Sequence, residues 1–217
     1  MAEIDLLAQY PKAKRNVEER GQEKTEEDRR IGRQFGREYF DGDRRYGYGG
    51  YSYNPRFWQP VIPAFKERYD LNQYSKVLDV GSGKGFMLHD MRELIPGINV
   101  RGIDISSYAI EHTMEDIKPY VWKGNATALP FADKSFDLVI SINTIHNLAI
   151  EDCKQALREL ERVGKHAFLT VDAYRTPEEK KRMDAWNLTA LTYMSVDEWK
   201  ALFNDVAYTG DYFWFIP

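Results

Sequence analysis

The chain has 217 residues and a single cysteine, Cys153. One thiol excludes an internal disulfide framework and a cysteine-built zinc site, since both need several thiolates. Surplus basic charge is missing as well: 30 Lys and Arg stand against 34 Asp and Glu, a formal charge of -4. Without a global basic field, neither nucleic acid nor anionic lipid is an expected partner. No apolar run approaches the roughly 20 residues that span a bilayer. The opening MAEIDLLAQYPKAKR lacks the basic stretch, apolar core and cleavage site, in that order, of a secretory signal. A cytoplasmic protein is therefore expected, with no membrane partner. No internal repeat is visible.

What is present is globular in composition, with 43% hydrophobic and 29% charged residues. Aromatics make up 14%, and rings in such number need a core or a pocket. Residues 12–36 mix acids and bases at i,i+4 spacing and read as a solvated helix or arm. In EYFDGDRRYGYGGYSYNPRFW, from Glu38 to Trp58, seven Tyr and Phe, one Trp and four Gly share a short span, which reads as a loop with rings. Val61, Ile62, Phe65 and Tyr69 then recur at helical spacing behind Pro60. Beyond Leu71 strands and helices alternate. Strands are predicted at residues 76–80, 99–105, 120–123, 136–142 and 166–171, with a closing pair at 205–208 and 212–216. Helices are predicted at 86–94, 107–117 and 151–163. This order predicts an α/β fold: a doubly wound, mostly parallel seven-stranded sheet with an antiparallel final strand. An N-terminal helical arm and aromatic lid at residues 1–70 would precede the main domain at residues 71–217.

Ligands of such sheets bind at the carboxyl ends of strands, and the first end reads VLDVGSGKGF, from Val77 to Phe86. A triphosphate loop needs GxxxxGK followed by Ser or Thr, but Leu78 takes the place of its first glycine and Gly85 follows Lys84. The dinucleotide fingerprint GxGxxG would need glycine where Phe86 stands. At the next strand end, Asp104 lies about 20 residues beyond the glycines, where an acid takes the hydroxyls of a ribose.

An aliphatic strand carrying Asp79, followed by GxGxG, resembles the first motif of the class I S-adenosylmethionine-dependent methyltransferases. The likeness continues through VRGIDIS, GNATALPF, LPFADKSFDLVIS and FDLVISINTIHNL, covering residues 77–148. It implies S-adenosylmethionine as cofactor, held by Asp79, Gly81, Ser82, Gly83 and Gly85. Asp104 would bind its ribose, Ile105 would lie against its adenine, and Asn125 and Ala126 would meet the adenine edge. Asn143 would face the amino-acid end of the cofactor or the acceptor; its plainer role is a strand-end cap. One departure is ERVGKHAFL, where Gly164 stands alone before Lys165 although the family has paired glycines.

Methyl transfer is an in-line displacement, and a hydroxyl acceptor is helped by a base. His146, just beyond the fourth strand, is the candidate, weighed against a packing or capping role; His89, His112 and His166 read as structural. Tyr174 and Arg175 after strand five, and Tyr46, Tyr48 and Tyr51 in the lid, are candidate substrate residues, unless the rings only glue the arm to the core. Metal-dependent relatives carry acids after strands four and five, where Asn143 and Ala173 stand here, so no catalytic metal is expected. Ser141-Ile142-Asn143-Thr144 is not the Pro-Pro-aromatic motif of base and amide methylation, and Cys153 falls in a predicted surface helix. A small-molecule acceptor follows, methylated at oxygen or nitrogen, with a carbohydrate or an aromatic ring fitting the lid. The alternative is another adenosine-cofactor protein: an NAD-dependent oxidoreductase or a non-catalytic S-adenosylmethionine sensor. A monomer or a homodimer is compatible with the composition.

Overall fold

The structure, a computed structural model, describes residues 1–11, 24–49 and 52–217. Tyr51 and residues 12–23 of the charged arm lie outside the described residues. The sheet is laid out around β1 (Lys76–Val80), which pairs in parallel with β2 (Asn99–Asp104) on one side and β4 (Phe136–Ile142) on the other. β3 (Val121–Lys123) lies outside β2, and β5 (Gly164–Tyr174) lies outside β4. The order β3-β2-β1-β4-β5 reverses between β1 and β4, which is where an open α/β sheet leaves a crevice.

The strands are aliphatic on both faces because both are covered. Val77, Leu138, Ile140 and Phe168 face one core with Ile62 and Phe65 of α3 (Ile62–Tyr69) and Leu88 and Met91 of α4 (Phe86–Leu94). Leu78, Val80, Val139, Leu169 and Val171 face the other. Their partners there are Ala156, Leu157, Leu160 and Val163 of α6 (Ile150–Val163) and Trp199 and Phe203 of α8 (Val196–Asp205). Successive strand residues thus alternate between cores, as the period of two requires. Cys153 lies on the inward face of α6 with no exposure, and burial pushes its thiol up to about 12. Gly164 begins β5 directly at the helix end; a Cβ there would sit 2.7 Å from Val139 Cγ2. The next position tolerates a side chain because it points outward, where Lys165 Nζ reaches Asp137 Oδ1 at 2.8 Å.

Five strands lie as the sequence predicts, and the chain's last strand differs. The final strand β7 (Asp211–Phe215) runs parallel to β5, in register from Phe168 opposite Asp211 to Asp172 opposite Phe215, and not antiparallel. No strand forms at residues 205–208. The capping box of Ser195 and Glu198 starts α8, and Val196, Trp199, Phe203 and Val206 follow one buried helical stripe. A helix that crosses back outside the sheet returns the chain to β7 in the parallel sense. The two-residue β6 (Met194–Ser195) pairs with Ala173 and Tyr174 on the same edge of β5, beyond the stretch that β7 occupies.

The described residues of the first 70 pack on this sheet. Tyr212 N–H donates to Ala2 O and its carbonyl accepts from Ile4 N–H, both at 3.0 Å, so this segment lies along the outer edge of β7. Leu6, Val61, Ile62 and Phe65 share the core of Val77. The aromatic stretch, expected as a loop throughout, contains the short helix α2 (Arg37–Asp41), preceded by α1 (Glu26–Gly32). α5 (Ser107–Glu111) follows β2 and is shorter than the predicted 107–117, and α7 (Pro177–Trp186) follows β5.

Candidate active site at the carboxyl ends of β1, β2, β4 and β5

The glycine turn between β1 and α4 is built from three left-handed residues, Gly81, Gly83 and Gly85, with φ of 89°, 53° and 78°. Two of them also admit a close neighbour. A Cβ on Gly81 would lie 2.1 Å from Thr144 Oγ1, and one on Gly85 would lie 2.7 Å from Ile117 Cγ2. A Cβ on Gly83 would instead meet only the Phe40 ring, at 3.7 Å from Cε1. The turn is fastened to β2: Gly81 and Ser82 N–H both donate to Ile103 O, at 2.7 and 3.2 Å.

Asp104 ends β2 and ties the two loops together. Its Oδ2 accepts from Gly83 N–H and its Oδ1 from Ser106 N–H, both at 2.8 Å. Burial pushes its pKa up, and these two hydrogen bonds offset part of that. Asp79, one strand away, is raised to about 7, by burial first and then by the Asp104 charge. Ile105 beside Asp104 is 52% exposed, an apolar side chain left facing outward at the crevice. Ser82 Oγ is buried without a partner among the described residues.

Asn125 and Ala126 follow β3. Asn125 Oδ1 accepts from Thr127 N–H at 3.0 Å, and Ala126 packs half-buried on the core of β4. The segment running on from them is gripped from α6, a support that the sequence reading missed. Arg162 donates to Leu129 O at 2.9 Å and Phe131 O at 2.8 Å, while Glu159 Oε2 accepts from Leu129 N–H at 2.7 Å.

Asn143 leaves β4 in the left-handed region, φ 50°, where its N–H donates to Thr170 Oγ1 at 3.0 Å and its Oδ1 accepts from the same hydroxyl at 2.8 Å. Its side chain is exposed and ties the end of β4 to β5, and it does not cap the short helical turn that follows. His146 is 3% exposed. Its Nδ1 accepts from Asp172 N–H at 3.0 Å, which places the ring proton on Nε2, 3.8 Å from Asp172 Oδ1. Burial lowers the basicity of the ring, and the Asp172 charge opposes that. The expected proton acceptor therefore has its lone pair already committed. Its backbone carbonyl accepts from Leu191 and Thr192 N–H at 3.1 and 2.9 Å, so His146 also anchors the connection between α7 and β6.

The N-terminal aromatic segment meets that same connection. Tyr48 OH accepts from Leu188 N–H at 2.9 Å and its ring stacks on Trp186 at 5.5 Å. Arg29 donates to Asn187 O and Arg33 to Thr189 O, the latter at 3.4 Å. Tyr46 is half-buried under the Arg45 guanidinium, 5.2 Å from its ring. Tyr174 pairs with Ser195 of β6 and carries Lys180 over its ring at 5.8 Å. Arg175 is drawn away, with Nη2 3.3 Å from Glu3 Oε1 at the β7 edge. The glycine turn, Asp79, Asp104 and Ile105 thus gather in the crevice, and Arg175 does not join them. The sequence reading also missed the grip of Lys84 on Asp41, at 2.5 and 2.7 Å.

Residues 78–168 match a family described as a methyltransferase domain. An uncharacterised methyltransferase of Bacillus subtilis, YcgJ, is 31% identical over 162 residues, 65% of this chain and 61% of its own length. Its crystal structure superposes with a TM-score of 0.55 at 21% identity, over 67% of this chain and 66% of that one. A ubiquinone/menaquinone biosynthesis C-methyltransferase of Hahella chejuensis is 31% identical over 55% of this chain and 52% of its own length. A malonyl-[acyl-carrier protein] O-methyltransferase of Erwinia pyrifoliae is 38% identical over 42% of this chain and 33% of its own. The chain spans less than two thirds of the length of these curated relatives. Among the described residues no helix is long and apolar enough to cross a membrane.

Proposed function

We propose, from the match of residues 78–168 to a methyltransferase domain and the resemblance of the glycine turn to the class I S-adenosylmethionine-dependent enzymes, that the chain transfers the cofactor's methyl group to a small molecule at an oxygen or nitrogen. The observation that carries the reading is the crevice between β1 and β4, with bare backbone at Gly83 beside a strand-end carboxylate, Asp104. These residues fit the cofactor. A Cβ at Gly83 would fill the space over the turn, Ser82 Oγ is a buried hydroxyl without a partner, and each Asp104 oxygen accepts one backbone N–H with a lone pair to spare.

In this reading Gly81–Gly85 and Asp79 receive the amino-acid end and the sugar, Asp104 takes the ribose hydroxyls, Ile105 covers the adenine, and Asn125 and Ala126 border it. When bound, the cofactor supplies an electrophilic methyl on a sulfonium. The chain's part is to hold the acceptor's lone pair in line with it and to keep water out. The committed lone pair of His146 supports a positioning role, holding Asp172 and residues 191–192, over that of a general base.

The relatives are named for an O- and a C-acceptor, so the shared domain does not set the acceptor atom. The choice then falls to the lid of residues 24–49 and the connection after β5, which meet at Tyr48 and Leu188. The aromatic faces and polar tips there, Tyr46 among them, suit a sugar or an aromatic ring, with Tyr48 holding the two segments together. Calorimetry with S-adenosylmethionine, S-adenosylhomocysteine and NAD(H) tests the reading, with binding of the first two expected. Binding of NAD(H) alone would sink it. Binding without methyl transfer to any compound of an acceptor panel would favour a sensor.

A further inference from the structure

Lys84 is the one charged residue of the glycine turn, and it neither points to solvent nor is claimed by a phosphate motif. Its side chain is 9% exposed, with Nζ 2.5 Å from Asp41 Oδ1 and 2.7 Å from Oδ2. Tyr108 OH donates to the same carboxylate at 2.7 Å, and its ring lies 5.9 Å from Nζ. Asp41 keeps a third of its side chain exposed, so the pair is sheltered on the Lys84 side and only partly open to screening by salt.

Asp41 is the last residue of α2, whose Phe40 stands 3.7 Å from the Cβ position of Gly83 and 6.3 Å from the Tyr108 ring. A second tie lies just before α2, where the Ser106 hydroxyl donates to Phe35 O. Residues 35–41 are therefore fastened by Lys84, Ser106 and Tyr108, which border the backbone of Gly83 and the carboxylate of Asp104. Asp104 itself is left 9% exposed. A sugar could not place its hydroxyls on that carboxylate, nor lie over Gly83, while residues 35–41 remain down.

We propose that Lys84 is a positioning residue: its ion pair with Asp41 clasps the lid onto the glycine turn, so that cofactor enters and leaves when this pair opens. The proposal rests on the methyltransferase reading for the identity of the ligand, and on the contacts above for the clasp. Reach and charge are both needed, so a methionine of similar length releases the lid and an arginine retains it.

Two measurements on the full chain test it. In the free protein, hydrogen exchange of amides in residues 35–41 should quicken in Lys84→Met and in Asp41→Asn, by about two- to fivefold for a lost ion pair of this kind. The double variant should quicken no further, and Lys84→Arg should restore protection. With S-adenosylhomocysteine in stopped flow, Lys84→Met should raise both association and dissociation rates, and Lys84→Arg should return them toward wild type. Exchange that is unchanged at residues 35–41, or quickened equally in β1 and β4, overturns the clasp. A wild type that binds but whose rates Lys84→Met leaves unaltered overturns the gate alone. A wild type that binds no S-adenosylhomocysteine overturns the methyltransferase reading and the gate with it.

Discussion

Burial pushes up the pKa of both acids on the adjacent strands β1 and β2, and their remaining surroundings then act in opposite directions. Asp104 receives two backbone N–H groups, whereas burial and the Asp104 charge hold Asp79 up to about 7. An unfolded Asp releases its proton near pH 4, so between roughly pH 4 and 7 the folded chain holds the extra proton. Stability then falls as pH rises through that window. Asp79→Asn, which carries no charge, should flatten this fall, gaining on wild type at pH 8 relative to pH 4 in thermal melts of the free protein. Parallel curves would show that Asp79 is ionised throughout. Asp104→Ala should weaken S-adenosylhomocysteine binding by about 1.5–3 kcal/mol, the worth of a charged acceptor, as read by calorimetry. An unchanged affinity would place the ribose elsewhere.

At the scale of elements, the grip of α6 on residues 129–131 pins the connection from β3 to β4 against the helix that follows β4. Arg162 makes hydrogen bonds to two carbonyls, to Asp133 and to Glu159, all between 2.7 and 2.9 Å. Arg162→Ala should cost about 1.5–3 kcal/mol in urea unfolding, and Arg162→Lys should recover little of it, because an ammonium cannot span the same fork. A loss under ~0.5 kcal/mol would mean that the segment holds itself. This grip also shows what the sequence could reveal. The central strands β1, β4 and β5 were legible because burial on both faces leaves nearly continuous apolar runs, and the glycine turn because its ligand-facing residues are contiguous. Val206 misled, since a residue that closes a helical stripe also fits the start of a strand. The commitment of His146 was hidden for another reason: its partner is a backbone N–H, from Asp172, which no side-chain pattern announces. Asp41 and Lys84 lie 43 residues apart on elements of unrelated period, so nothing in the spacing links them.

For the whole molecule, β7 closes the sheet with Tyr212 and Trp214 packed on Phe203, at ring separations of 5.2 and 5.9 Å. A chain ending at Asp205 would strip one edge of β5 and leave Phe203 uncovered. We expect it to lose near-ultraviolet dichroism and a cooperative urea transition; two-state unfolding of the shortened chain would show that β7 is dispensable. The edge contact of residues 2–4 carries a further consequence. Ala2 N–H reaches Asp211 Oδ1 across 209 residues, and the flanking backbone pairs bind the same two segments. On the ribosome the first of these segments is exposed long before the second exists. Until then Ile4 and Leu6, which pack with Val77 and Phe168, have only half of their seat. Closure of this seam is thus a late event set by translation time, at about 5–20 residues per second, and the early segment must stay free of wrong partners for roughly 10–40 seconds.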